Sequence, residues 1–288
     1  MKGLDIMVEK RSGFDTFRRS YAYAARALKG DPAVFLPFLI FAGIEFISLI
    51  GLYLAPQAPF RSVLGPIITT FWGKQYLHYP GNFFLLPKLA NLARMVLSVV
   101  VGSLLTGIAV ALLYKKPVLT ALRKYAHFLV VIFLLLFIFY MTNRQIHIFL
   151  VKYFSAGHKN LLMVGANMWL GPVSIAISQL LALIMQSLLA YAIPVLILTD
   201  AKFPGAIGRS VVCFFRNPLI TLCLVGFPML IALPLIFINY NSVFLMDTFM
   251  PEIVLWVGVL GVVINSLVID PLVTLSTAAF YVEKESNT

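Results

Sequence analysis

The stretch AVFLPFLIFAGIEFISLIGLYL, residues 33–54, decides the fold class of this chain. Its 22 residues include a single charged side chain, Glu45. A helix needs about 20 consecutive, mostly apolar residues to cross the hydrocarbon core of a bilayer. The stretch therefore predicts a transmembrane helix that carries a carboxyl group.

The composition of the whole chain extends this interpretation. Of the 288 residues, 61% are hydrophobic and 11% are charged, whereas a soluble domain is about 45–50% apolar and about 25% charged. Such a chain predicts an all-α, polytopic membrane helix bundle. The six-span membrane domain covers residues 33–275, with predicted spans at residues 33–54, 89–114, 125–141, 169–198, 218–238 and 253–275.

Three segments on one side of the predicted bundle are basic and amphipathic: residues 1–32, 115–124 and 200–217. In the first, apolar residues recur at spacings of three and four from Phe14 to Leu28. This pattern is typical of helices that lie in the membrane interface. The side chains expected to contact anionic lipid head groups are Arg18, Arg19, Arg26, Arg123, Lys124, Arg209 and Arg216.

Each basic segment precedes an odd-numbered span, which predicts three repeated units, each an interfacial helix followed by a helical hairpin. The alternative is that any loop on the basic side of a membrane protein looks basic and amphipathic. The sequence leaves both interpretations open.

The distribution of Lys and Arg predicts the orientation. The three basic segments and the tail at residues 276–288 hold 15 of the 22 basic residues, and the other loops hold six. The positive-inside rule then places the basic helix of residues 1–32 and the tail in the cytoplasm. The net charge of +11 therefore indicates topology and anionic lipid, and we expect no binding of nucleic acid.

Five side chains within the spans are candidates for an intramembrane polar site, because ionisable groups in a bilayer are costly and usually functional. Glu45 is either a proton or cation site or a residue that fixes helix packing. Arg94 either extends toward the outer face or pairs with Glu45. The five candidates are Glu45, Arg94, Gln179, Gln186 and Asp270.

The other three candidates also have two interpretations each. Asp270 precedes Pro271 and is either part of an ion or substrate path or an interfacial acid beside a proline kink. Gln179 and Gln186 are seven residues apart and share a helix face. They either line a polar cavity or bond to a neighbouring helix, where residues 265–266 offer partners.

Motifs for catalysis, metals and cofactors are absent from the sequence. There is no G-x-S-x-G, no P-loop and no HExxH. Cys213 and Cys223 have no metal-binding spacing, and the histidines are scattered at His78, His127, His147 and His158. We therefore expect neither an enzyme nor a cofactor-binding or metal-binding protein.

The region from span 4 to span 5 resembles a known family. The resemblance rests on PVLILTD at 194–200, on Arg209-Ser210 and Asn217-Pro218 and, later in the chain, on Asp270-Pro271. They are similar to the glycerophosphoryl diester phosphodiesterase membrane domain and the related YciC-like bacterial inner-membrane proteins. The resemblance implies a six-span protein of the bacterial cytoplasmic membrane. The soluble phosphodiesterase domain of some relatives has no counterpart here, so no catalytic residue carries over.

Two functions follow from these patterns. The first is a non-enzymatic accessory protein or scaffold of the cytoplasmic membrane that acts through anionic lipids, a partner protein or a second copy of the chain. The alternative is a solute or ion transporter that uses Glu45 and the polar face of span 4. A membrane-embedded enzyme is the class with the least support.

Overall fold

The computed structural model describes residues 13–156, 163–199 and 201–285. The first 12 residues of the predicted basic helix and the last three of the tail lie outside this part of the chain. The α-helices are α1 (Gly13–Gly30), α2 (Pro32–Tyr53), α3 (Phe60–Phe71), α4 (Gly81–Leu97), α5 (Ser103–Leu113), α6 (Val118–Arg123), α7 (Tyr125–Ala156), α8 (Met163–Leu189), α9 (Ala192–Leu198), α10 (Phe203–Arg216), α11 (Pro218–Tyr240), α12 (Ser242–Thr248), α13 (Ile253–Ile264) and α14 (Asp270–Glu285).

Within the described ranges, six helical stretches are long and apolar enough to cross a membrane, so the all-α polytopic bundle is confirmed. α4 and α5 form one span through a π-helical segment at Ser98–Gly102, and α13 and α14 form another through a π-helical segment at Asn265–Ile269. The six spans are Pro32–Tyr53, Gly81–Leu113, Tyr125–Leu150, Gly171–Leu198, Pro218–Asn239 and Ile253–Lys284.

Spans 2, 3 and 6 extend well beyond their predicted bounds. Span 2 begins at Gly81, since Phe83 and Leu86 are buried in a cluster with Leu49 of α2 and Val254 of α13. Helix α7 continues to Ala156, through residues 142–156 that the sequence predicted as a loop. There Asn143 accepts a hydrogen bond of 2.6 Å from Ser178 of α8.

The six spans form a closed ring in which neighbours along the chain are neighbours in space. Span 2 contacts span 3 through α5 and α7, and span 4 contacts span 5 through α8 and α11. The ring closes because α13 of the last span packs against α2 of the first. Large apolar side chains such as Ile47, Phe133 and Trp256 are exposed on its outside, as lipid contact requires.

The three even-numbered spans converge near one end of the ring, where α5, α9 and α14 contact one another in pairs. Their side chains form the largest buried cluster, which we call the convergence core and which includes Val110, Phe128, Tyr191, Leu196 and Phe280. Gly107 on α5 is buried against Phe128, and a Cβ there would clash with that ring. The small-residue face of span 2 therefore serves close helix packing.

The three short basic helices lie at this same end, which we call the basic face. Helix α6 packs on α5, α10 packs on α9, and α1 packs on α14. Each interfacial helix thus covers the end of the even-numbered span that precedes it around the ring. This cyclic pattern fits three repeated units, and the repeat stays a prediction.

Helix α1 is attached to the bundle by a bond that the sequence explains. Tyr21 donates a hydrogen bond of 2.6 Å to the backbone carbonyl of Leu224 in α11. That carbonyl has no helical donor four residues later, because Pro228 has no N–H. Burial raises the pKa of the Tyr21 phenol, so the group stays protonated and remains a donor.

Two segments outside the predicted spans also pack on the bundle. Residues 55–80 contain α3, and Ile68 of that helix packs with Ala55 and Leu85, so this segment folds back onto the bundle. Residues 276–285, which the sequence analysis assigned to the tail, complete α14. Phe280 and Tyr281 are buried in the convergence core, which explains why the helix continues.

Candidate functional site

Three charged side chains from three spans meet inside the bundle. Arg94 Nε of α4 lies 3.2 Å from Glu45 Oε1 of α2, and Arg94 Nη2 lies 3.7 Å from Asp270 Oδ2 of α14. Ser266 Oγ donates a hydrogen bond to Glu45 Oε2. We call Glu45, Arg94 and Asp270 the charged triad. Pairing of these ionised groups offsets the cost of placing them in a bilayer.

The two π-helical segments adjoin the triad. One, at Ser98–Gly102, begins four residues after Arg94. The other, at Asn265–Ile269, contains Ser266 and ends directly before Asp270. A π segment inserts an extra residue in one turn and so rotates the side chains that follow, and such segments are frequent at functional sites.

A cavity of about 550 Å³ lies at the centre of the ring and is lined by residues from all six spans. Its volume falls within the range of about 300–1,000 Å³ of small-molecule sites. Among the described residues that line it, Arg94 and Asp270 are the charged ones. The polar lining consists of Asn91, Ser98, Ser103, Thr106, Gln179, Gln186, Asn265, Thr274 and Thr277.

A second, smaller cavity of about 80 Å³ lies on the other side of the triad. Glu45 lines this cavity, Asp270 lines the large one, and Arg94 lines both. The smaller cavity is bounded by Asn239 and Val254, which lie near the ends of their spans away from the basic face. The two cavities therefore adjoin at the charged triad and share Asn91 and Arg94 as lining.

Span 4 is broken beside the large cavity. Helix α8 ends at Leu189 and α9 begins at Ala192, so the backbone of the intervening turn lacks regular helical bonds. Ser210 of α10 supplies them: its hydroxyl donates to the Leu188 carbonyl at 2.8 Å and accepts from the Tyr191 N–H at 3.2 Å. Broken helices in membranes persist where protein or a cavity satisfies the backbone.

Comparison with protein-family models, curated proteins and solved structures finds no match to this chain. The resemblance to the phosphodiesterase membrane domain therefore stays a prediction, and the geometry of the site carries the functional argument.

The structure brings the predicted intramembrane residues to one place. Glu45, Arg94 and Asp270 form the triad, whereas Gln179 and Gln186 line the large cavity with Asn265. Of the two predicted alternatives for Arg94, the structure shows the pairing with Glu45. Its guanidinium lies beside two carboxyl groups and does not extend toward the outer face. Asn265 donates to the carbonyl of Gly261 in its own helix.

The predicted lipid contacts are placed on the basic face with one exception. Arg18, Arg19, Arg26, Arg123, Arg209 and Arg216 are exposed. Lys124 is half-buried, and its ammonium donates to the carbonyls of Leu196 and Thr199, the latter at 2.8 Å. The expectation that Lys124 contacts lipid is therefore wrong: the charge caps the end of α9, where helix carbonyls lack partners.

Sequence reasoning missed most of the polar lining of span 2. Asn91, Arg94 and Ser98 are spaced at three and four residues and face the cavity, and Thr106 continues the same side beyond the π segment. This helical spacing was present in the sequence. It was overlooked because single hydroxyl residues are common in membrane helices for packing reasons.

Proposed function

We propose that this chain is a membrane transporter that moves a small polar solute through the central cavity. The main support is the pair of cavities that adjoin at the charged triad. Ionisable residues that face a cavity within a membrane protein mark substrate and ion pathways, and transporters bind substrate near the middle of the bilayer, between bundle elements and beside broken helices.

The lining restricts the kind of solute. Amide and hydroxyl groups such as Gln179, Gln186 and Thr106 offer hydrogen bonds, while Phe38, Phe41 and neighbouring apolar side chains offer contact area. Arg94 and Asp270 add one charge of each sign. This chemistry fits a small solute that carries hydrogen-bonding groups and an apolar part.

Access of water to the large cavity is the first test. In a background with Cys213→Ser and Cys223→Ser, the variants Thr106→Cys and Thr274→Cys are treated with a charged, membrane-impermeant thiol reagent in sealed vesicles. We expect modification of both cavity positions. Ile47→Cys is the matched control and should stay unmodified, because Ile47 is 72% exposed on the lipid-facing outside of the ring. Absence of modification at both cavity positions would overturn the proposal.

Flux is the second test. Proteoliposomes are loaded with a panel of labelled small solutes, including amino acids, sugars and organic ions, and efflux is followed. We expect at least one solute to move with the wild-type chain and to be retained with Thr106→Trp, which fills the cavity. Ile47→Trp should transport normally. Equal efflux from wild-type and Thr106→Trp vesicles for every solute would contradict a route through the cavity.

A second candidate is a non-enzymatic accessory protein of the bacterial cytoplasmic membrane, with both termini in the cytoplasm. The supporting observation is the exposed basic row on α1 and α10, which includes Arg18, Arg19 and Arg216. Such a row attracts anionic lipid at about 1 kcal/mol per basic residue near the surface. It also suits a protein partner or a second copy of the chain.

Lipid analysis tests this candidate. The protein is extracted with its surrounding membrane in native nanodiscs, and the lipids are identified by mass spectrometry. We expect anionic lipid to be enriched around the wild type and lost from a variant with Arg18→Gln, Arg19→Gln and Arg216→Gln. The control replaces Arg61 and Arg144, which are exposed and lie outside the basic helices. Unchanged lipid in the triple variant would exclude this role.

A reporter fused after residue 288 tests the orientation and should be active in the cytoplasm.

A further inference from the structure

The charged triad does not balance its own charge. It contains two carboxyl groups and one guanidinium, so it carries a net charge of −1 when all three are ionised. Of the described residues that line either cavity, Arg94 is the one cation. An uncompensated charge inside a bilayer costs several kcal/mol, so the site requires one further positive charge.

The two carboxyl groups differ in their surroundings. Glu45 is 4% exposed, is nearest to the guanidinium, and accepts the hydroxyl of Ser266. The side chain of Asp270 is 39% exposed, lines the large cavity, and lies 3.7 Å from Arg94. The buried Glu45 thus pairs with the half-buried Arg94, while Asp270 is the carboxyl group that lines the large cavity, from which water can reach it.

We propose that Asp270 is a proton-binding site, at which one proton from the large cavity neutralises the triad. The step adds one proton to an Asp270 oxygen, changes the triad from −1 to neutral, and weakens the contact of Asp270 with Arg94. The inference deepens the proposed transport function, because it names a proton as the coupling ion.

A metal cation fits this position less well than a proton. Any cation bound to Asp270 would sit within a few ångströms of the Arg94 guanidinium, and the repulsion between two charges at such a distance is strong in a low dielectric. A protonated carboxyl group is neutral and carries no such repulsion. It also gains a donor for the hydroxyl and amide groups of the cavity.

The ionisable groups that face Asp270 lie on two of the described elements packed around it. Glu45 on α2 and Arg94 on α4 are the ionisable ones. Within the cavity lining, the polar residues on α5 are Ser103 and Thr106, those on α8 are Gln179 and Gln186, and the residues from α7, α9 and α11 are apolar. The protonation of Asp270 is therefore governed by the other two members of the triad.

Infrared spectroscopy of the full chain in lipid nanodiscs counts the protonated carboxyl groups directly, because a carboxylic acid and a carboxylate absorb at different frequencies. At neutral pH we expect one protonated group in the wild type. Charge balance predicts no protonated carboxyl group in the triad of Asp270→Asn or Glu45→Gln, since the remaining carboxylate then balances Arg94. In Arg94→Gln it predicts two protonated carboxyl groups. Asp247→Asn, at an exposed site on α12, is the control and should keep one.

Isotope labelling identifies the type of residue that holds the proton, and it needs no variant that might fail to fold. Labelling of all aspartate carboxyl groups with ¹³C should shift the acid band of the wild-type protein, and labelling of glutamate should leave it unchanged. A shift with glutamate label, or the absence of an acid band, would overturn the proposal. So would disappearance of the band when Na⁺ replaces choline, since a metal ion would then hold the site. The infrared assay measures no flux. A negative infrared result would therefore contradict the proton site alone, and a negative flux result would contradict the transport function alone.

Discussion

Arg94 holds two carboxyl groups in place, so its removal should be costlier than the removal of its partner. In Arg94→Gln, Glu45 loses its counter-charge and must take up a proton to stay buried, and breaking a buried ion pair costs about 3–5 kcal/mol. We expect a large loss of thermal stability in Arg94→Gln and partial recovery in the double variant with Glu45→Gln. Unfolding of the purified protein in lipid nanodiscs measures both. Equal stability of the single and double variants would show that the pair is not coupled.

Tyr21 provides a second prediction at the scale of one residue. Its hydroxyl serves the Leu224 carbonyl that Pro228 leaves without a helical donor. Tyr21→Phe should therefore lower the free energy of unfolding by about 1–3 kcal/mol, the cost of an unsatisfied buried polar group. Tyr23→Phe is the matched control on the same helix, because Tyr23 is exposed. A similar loss in both variants would argue against a specific role of the bond.

The elements that carry the site are interrupted helices. The even-numbered spans each contain an irregular segment, at Ser98–Gly102, at the turn before Ala192 and at Asn265–Ile269. The odd-numbered spans supply lining but, within the described residues, no such segment. Among the described residues, irregular backbone within the spans is thus confined to the three spans that converge at the basic face, and these are the elements best suited to bend.

The broken span 4 depends on a side chain from another element. Ser210→Ala removes the hydroxyl that serves both Leu188 and Tyr191. We expect a loss of about 1–3 kcal/mol in stability and faster hydrogen exchange of the Tyr191 amide, measured by mass spectrometry. Ser62→Ala on the exposed end of α3 is the control. Unchanged exchange at Tyr191 would mean that the bond does not hold the break.

Long apolar runs made the existence of the spans predictable, whereas their ends depended on contacts between distant residues. Phe83 and Phe280 lie outside the predicted spans but are buried against other elements. The π segments were not predictable, since no residue pattern in Ser98–Gly102 differs from that of an ordinary helix. Glu45, Arg94 and Asp270 stood out one by one, because charges are rare in spans. The pairing of Arg94 with Glu45 was one of two alternatives in the sequence, and the position of Asp270 beside this pair follows only from the ring.

At the scale of the whole molecule, the convergence core joins all three units. Phe280 is fully buried there among residues of α5, α7 and α9. Phe280→Ala should therefore lower the stability of the entire bundle by about 3–5 kcal/mol, seen as a lower midpoint in a single thermal transition. Phe237→Ala, at a site that is 67% exposed on the outside of α11, should change the midpoint little. Two separate transitions in Phe280→Ala would instead indicate units that fold independently.

The closed ring has a consequence for how the protein is made. Helix α1 ends at Gly30, but the helix on which it packs, α14, begins at Asp270. At about 5–20 residues per second of synthesis, α1 leaves the ribosome roughly 10 to 50 s before its partner exists. During that interval a helix with an apolar stripe and a basic side can rest at the surface of the bilayer. Because α1 is amphipathic, it can stay bound at the membrane surface until α14 is inserted and the two helices can pack.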